Sequence, residues 1–279
     1  MLHLERELID GERISTISNF LSAVECQQLI ARAEESGFKL SPPSAAVQIK
    51  VRQILIGGGH GRTHREDART NEYTVITDQS LADKLFQRVS PVLPRTLEWM
   101  ADNAYFTKDI GGREWSIAGC VDRLRFYKYN KDEEYPEHMD GSYSRTITYN
   151  NESQKAYKQH SFLTLLIYLN DDFQGGATKF YPDKQHCRFL RDIENKQAVH
   201  IVQPKQGMAL VNIHNILHEG SKVQSGIKYV LRTDILYQKP MESHPKLEKY
   251  SQKSSNDSGK IVVSDWEKHF EPSCKMYHD

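Results

Sequence analysis

The run "SFLTLLIYLNDDFQGGATKFYP", Ser161 to Pro182, decides the fold. Its first half, "SFLTLLIYLN", is a β-type run that gives way to turn residues at Asp171 and Asp172. Gly175 and Gly176 then supply a tight turn from which a second run, "ATKFYP", starts. The same texture extends both ways from about residue 120. "VDRLRFYKY" lies upstream, while "AVHIVQP", "GMALVNI" and "YVLRTDILY" lie downstream, with Gly, Pro, Asn and Asp turns between them. Short strands in such succession indicate an antiparallel sandwich or barrel.

Before residue 120 the pattern turns helical. "SNFLSAVECQQLIARAEESGF" predicts an amphipathic helix in which Ser22 and Glu25 have capping-box spacing. Leu29, Ile30 and Ala33 give its apolar face, and Gly37 stops it. "VQIKVRQILIGGG" alternates like a strand, and "DQSLADKLFQRVSPVLP" predicts a second helix with the stripe Leu81, Leu85, Val89. The segment Thr146 to His160, "TITYNNESQKAYKQH", is polar and long for a hairpin loop, so the stretch 141–160 reads as a lid or substrate loop. After Tyr237, Lys, Ser, Pro and Asp predict a loosely packed tail with one short strand at "KIVVSDW". The expected organisation is one domain: residues 1–119 as a helical and strand support region, 120–238 as the core, and 239–279 as a polar tail.

Bulk properties narrow the function. The 37 basic residues balance 37 acidic ones, so no global field draws the chain to nucleic acid or an anionic membrane. Mean hydropathy is −0.66, polar for a globular protein, yet aromatic content is sufficient for a core. Cys26, Cys120, Cys187 and Cys274 form no CxxC pair, which argues for a reducing compartment and against a disulfide framework or thiolate zinc site. The N-terminal residues lack an apolar signal core and no long apolar run occurs, so the expectation is a soluble cytoplasmic protein.

The chemistry-bearing stretch is "EEYPEHMDGSYSR", Glu133 to Arg145. In a strand, His138 and Asp140 point to one face and can offer an imidazole and a carboxylate to one ion. A third ligand must come from elsewhere. His218 in "NIHNILHEGSKV" is the candidate, with His214 as its rival. Two histidines and a carboxylate form the facial triad of non-haem Fe(II) oxygenases. Lys228, ten residues after His218, enters a strand where a buried ammonium demands an anion, and Arg232 has the same facing. A dicarboxylic co-substrate would supply that anion.

The order "RFYKYNKDEEYPEHMDGSYSR … SFLTLLIYLNDDFQGGATKFY … QPKQGMALVNIHNILHEGSKVQSGIKYVLRTDILY" resembles the prolyl 4-hydroxylase-type branch of the 2-oxoglutarate- and Fe(II)-dependent dioxygenases, over roughly residues 120 to 238. The resemblance implies a mainly β chain with supporting helices around a double-stranded β-helix, or jelly-roll, core. It implies His138, Asp140 and His218 as iron ligands, and Lys228 as the residue holding the distal carboxylate of 2-oxoglutarate. Tyr129 matches a tyrosine that bonds the same carboxylate, and Thr164 is a further co-substrate candidate. The implied reaction consumes O2 and 2-oxoglutarate, releases succinate and CO2, and hydroxylates an unactivated C–H bond, with ascorbate as reductant. Asp140 favours hydroxylation over halogenation, because related halogenases replace this carboxylate with a small residue. Arg145, Arg69 and Asn71 are substrate-contact candidates. The substrate expected first is a protein side chain, prolyl foremost, with a free amino acid or metabolite as the alternative. Two rival readings are a non-catalytic jelly-roll module and a zinc or manganese enzyme on a cupin-type barrel, the latter leaving Lys228 without an anion.

Overall fold

The computed structural model describes residues 3–41, 71–100, 115–148, 155–181 and 198–241. The expected strand "VQIKVRQILIGGG", the "KIVVSDW" tail, Arg69, Cys187 and Cys274 lie outside the described residues. Two compact units divide the chain: Met1–Gln79, Asp122–Asp140 and Thr164–Thr233 form the first, and Ser80–Val121, Gly141–Leu163 and Asp234–Asp279 the second.

The first unit begins with a hairpin of β1 (Glu5–Asp10) and β2 (Ile14–Ser18), which the sequence reading did not anticipate. β2 is short and rich in Ser and Thr, yet Ile14 and Ile17 are fully buried because it pairs with β13 (Ala209–Ile213) inside the sheet. The helix α1 (Ala23–Glu35) follows. Ser22 Oγ accepts from the Glu25 amide at 3.2 Å and the Glu25 carboxylate accepts from the Ser22 amide at 2.7 Å, closing the expected capping box. Its buried stripe is Cys26, Leu29 and Ala33, so Cys26 takes the place expected of Ile30, which is half-buried. Arg32 pairs with Asp78 at 2.6 Å and Lys128 with Glu34 at 2.8 Å, tying the helix to the strands.

The major sheet of this unit runs outward from β1 and β2 through β13. It continues through the Thr164–Tyr168 end of β9 (Ala156–Tyr168) and the Lys228–Thr233 end of β16 (Lys228–Pro240). It ends with β6 (Arg123–Tyr129), β4 (Glu72–Thr77) and β3 (Lys39–Leu40). Alternation along β6 buries Leu124 and Phe126 on one face, while Tyr127 and Tyr129 stand on the other beside Val230 and Lys228. A minor antiparallel sheet has the order β12 (His200–Val202), β11 (Thr178–Phe180), β14 (His218–Gly220), β7 (Tyr135–His138). A third pair, β10 (Gln174–Gly175) with β15 (Val223–Ser225), carries the Gly175–Gly176 turn. Two antiparallel sheets with strands alternating between them are a double-stranded β-helix.

In the second unit, α2 (Gln79–Val89) buries Ala82, Leu85 and Val89. The expected Leu81 is half-buried, and Ala82 takes its place in the stripe. The helix stops where Pro91 enters a 3-10 turn over Ser90–Val92. β5 (Ser116–Cys120) pairs with the far end of β16, and Trp115 packs edge-on against Phe162 at 5.1 Å. The segment read as one long loop is corrected here: β8 (Ser144–Thr148) pairs residue for residue with Ala156–His160 of β9. Its polar side chains misled because Thr, Tyr, Lys and Gln suit a hairpin arm with Ile147 buried on one face.

Candidate metal centre and cleft

β7 ends at His138, and its neighbour β14 starts at His218, directly opposite in the pairing register. That pairing makes two histidines 80 positions apart in sequence into cross-strand neighbours, with ring centroids 4.3 Å apart. Asp140 lies just beyond the end of β7 rather than within a strand, and its amide donates to the His214 carbonyl at 2.8 Å. The carboxylate comes within 3.6 Å of His138 Nε2 and 3.7 Å of His218 Nε2. One ligand atom from each of the three lies within 4.8 Å of the others.

The donor set fits a divalent transition metal on the structure's own terms. His138 Nδ1 bonds the Pro136 carbonyl at 2.8 Å and His218 Nδ1 bonds the Ile216 carbonyl at 2.9 Å. A carbonyl only accepts, so each Nδ1 donates there, and each Nε2 is left facing Asp140 as the atom that would bind a metal. Burial, with His218 beside it, pulls the His138 imidazole down to about 4. Burial would raise the Asp140 carboxyl, but Arg232, His218 and His138 outweigh it and hold the group well below the usual carboxylate range. Neutral imidazoles and an ionised carboxylate are the forms a metal takes.

The three groups open into a cleft walled by both sheets. Lys228 lines the cleft, 3 % exposed, its ammonium donating to the Gly176 carbonyl at 2.6 Å. The rings of Tyr129 and Tyr168 lie 5.2 and 5.6 Å from that ammonium. No carboxylate among the described residues pairs with it, and burial pulls it down to about 7. A buried cation whose partners among the described residues are a carbonyl and two ring faces could take an anion.

The expected residues are therefore distributed unevenly. His138, Asp140, His218, Lys228, Tyr129, Arg232 and Thr164 all line the cleft. Arg232 is ion-paired to Asp140 at 3.0 Å, and the Thr164 hydroxyl donates to the other Asp140 oxygen at 2.6 Å, so both sit at the metal end. His214 stands behind Asp140 with its Nδ1 on Thr164. Arg145 belongs to the second unit, on β8, with its Nε on Gln159 at 2.7 Å. Asn71 is fully buried before β4, its amide nitrogen donating to the Glu72 carbonyl.

Sequence reasoning missed Tyr135, whose ring centroid lies 3.8 Å from that of His138. The two are three residues apart, which in a regular strand would put them on opposite faces. The register shows why they share one: Tyr135 pairs with Gly220 and His138 with His218, so Pro136 and Glu137 of β7 oppose Glu219 alone of β14 in a bulge.

Residues 124–233 match the model of the 2OG-Fe(II) oxygenase superfamily. That segment, less than half of the chain, is similar to the 2OG-Fe(II) oxygenases. The matched segment runs from β6 through the Thr233 position of β16 and includes the His-Asp-His cluster and Lys228. Among curated proteins none matches the chain. Among solved structures, it is similar to the viral collagen prolyl hydroxylase of Paramecium Bursaria Chlorella virus-1 in its 2OG complex, at 18% identity and a TM-score of 0.42, covering 82% of this chain and 99% of that one. It is similar to a Pseudomonas putida prolyl-4-hydroxylase at 14% identity and a TM-score of 0.44, covering 80% and 92%. A Burkholderia pseudomallei 2OG-Fe(II) oxygenase family oxidoreductase is similar at 13% identity and a TM-score of 0.33, covering 77% and 91%.

Proposed function

We propose that the protein hydroxylates an unactivated C–H bond of a protein side chain, prolyl first, using Fe(II), O2 and 2-oxoglutarate and releasing succinate and CO2. His138, Asp140 and His218 hold the iron, and Lys228 with Tyr129 takes the distal carboxylate of 2-oxoglutarate. The observation that carries this reading is Lys228: a buried ammonium without a carboxylate partner among the described residues, in the same cleft as two imidazoles whose Nε2 atoms converge on a carboxylate. A zinc or manganese enzyme with a bare facial site leaves that ammonium unexplained.

When bound, Fe(II) supplies the oxidative decarboxylation of 2-oxoglutarate by O2 and the oxidising power for C–H hydroxylation. The protein's own part is orientation and exclusion. Lys228 fixes one end of the dicarboxylate, so its keto acid end faces the metal cluster. Tyr127, Tyr129 and Tyr135 wall the cleft with rings, restricting water near the reacting carbon. Asp140 occupies the carboxylate position, with Arg232 and Thr164 engaging its two oxygens, which favours hydroxylation over halogenation.

The prolyl preference rests on the resemblance of the 120–238 region to the prolyl 4-hydroxylase-type branch. Its test is aerobic incubation with Fe(II), 2-oxoglutarate and ascorbate, offering proline-rich peptides and, separately, free proline. The expected result is a gain of one oxygen atom on a peptide prolyl residue by mass spectrometry. Oxygen gained by the free amino acid alone would transfer the substrate to the small-molecule class.

A further inference from the structure

His214 looked like a rival ligand, but it is not one of the three clustered groups and instead enters a hydrogen-bond chain that ends on one of them. Thr164 Oγ1 donates to Asp140 Oδ2 at 2.6 Å, and His214 Nδ1 lies 3.0 Å from the same Oγ1. A threonine hydroxyl has one proton, and an ionised carboxylate can only accept. Thr164 therefore spends its proton on Asp140, and His214 Nδ1 is the donor to Thr164. The chain runs one way, from His214 through Thr164 to Asp140. The main chain closes a second link, with the Asp140 amide donating to the His214 carbonyl at 2.8 Å. All three residues are at least nine-tenths buried, so no solvent substitutes for a missing donor.

An aspartate carboxylate turns easily about its last torsion, whose energy well is broad. Here Thr164 holds one oxygen and Arg232, at 3.0 Å, holds the other. We propose that Thr164 and His214 are positioning residues that set the rotation of the Asp140 carboxylate and so preorganise it as a metal ligand. This rests on the metal-binding reading given above and goes beyond it by assigning Thr164 to the metal rather than to the co-substrate. Outer partners of this kind govern metal affinity when they orient a ligand, whereas a hydroxyl that merely satisfies a buried carboxylate governs stability alone.

The test uses Co(II) as the probe on the full chain, with affinity by calorimetry, the visible Co(II) absorption bands, and the melting temperature of the metal-free protein. Thr164→Val and His214→Leu are each expected to weaken Co(II) by about 10- to 100-fold and to alter the Co(II) bands. Thr164→Ser and His214→Asn, which keep a donor, are expected to restore both. The double variant Thr164→Val/His214→Leu is expected to be little worse than either single one, because the two act in series. Wild-type affinity and bands in both apolar variants, whatever happens to the melting temperature, would overturn the proposal. Should Thr164→Val fail to fold, His214→Leu against His214→Asn carries the same comparison. A wild-type chain that binds no Co(II) overturns the metal reading itself, a result distinct from unaltered variants of a chain that does bind.

Discussion

Lys228 has exchanged water for one carbonyl and two aromatic faces, and the exchange makes sense only with an anion to follow. Replacing it by Met removes a charge-assisted bond of about 1.5–3 kcal/mol, so Lys228→Met should weaken 2-oxoglutarate binding by about 10- to 100-fold in calorimetry on the Mn(II)-loaded protein. The pH dependence follows from burial, which pulls the group from 10.5 to about 7. Above pH 7 the empty cleft holds a neutral amine, and binding a carboxylate as an ion pair requires proton uptake. Affinity should be flat below pH 7 and fall by up to about tenfold per unit above it, a slope absent from Lys228→Met. In the ligand-free state the unfolded lysine keeps its proton up to 10.5 and the folded one does not, so this group's contribution to stability rises with pH between those values. Chemistry made the His138, Asp140, His218 and Lys228 positions readable, since imidazoles, a carboxylate and an inward lysine have few uses together in a sheet. Tyr135 was unreadable because a bulge sets its facing, and the partners of Thr164 and Arg232 were unreadable because cross-strand register chooses them.

At the scale of elements, local signals and pairing partners behave differently. The Ser22 capping box is local and was legible from two residues; Ser22→Ala should cost about 1 kcal/mol, read as a fall in melting temperature of about 2–4 °C. The Gly175–Gly176 turn was legible as a turn, but its second duty was not. Gly176 has φ +66° and offers its carbonyl to Lys228, and a Cβ there would meet Phe173 Cε2 at 2.9 Å and Lys228 Cδ at 3.1 Å. Gly176→Ala should therefore cost about 1–2 kcal/mol of stability and also weaken 2-oxoglutarate, a coupling absent from Ser22→Ala. The strands "SFLTLLIYLN" and "YVLRTDILY" announced themselves by long apolar runs buried on both faces. β2 and β8 did not, because short Ser- and Thr-rich strands owe their state to neighbours in the sheet rather than to their own composition.

For the molecule as a whole, two sheets make the cleft by dividing its parts: the minor sheet brings the two histidines together, and the major sheet supplies Lys228, Arg232 and Thr164. Balanced charge, 37 against 37, leaves recognition to the cleft rather than to a long-range field. No helix among the described residues is long and apolar enough to cross a membrane. The central claim is that this cleft couples Fe(II) and 2-oxoglutarate to oxygen chemistry. Its most direct measurement is succinate formed from 2-oxoglutarate under air, with and without Fe(II), by wild-type protein and by Asp140→Ala, in the presence of proline-rich peptides. The account predicts succinate that requires both Fe(II) and O2 and falls to background in Asp140→Ala; succinate at background in the wild type, or undiminished in Asp140→Ala, would contradict it.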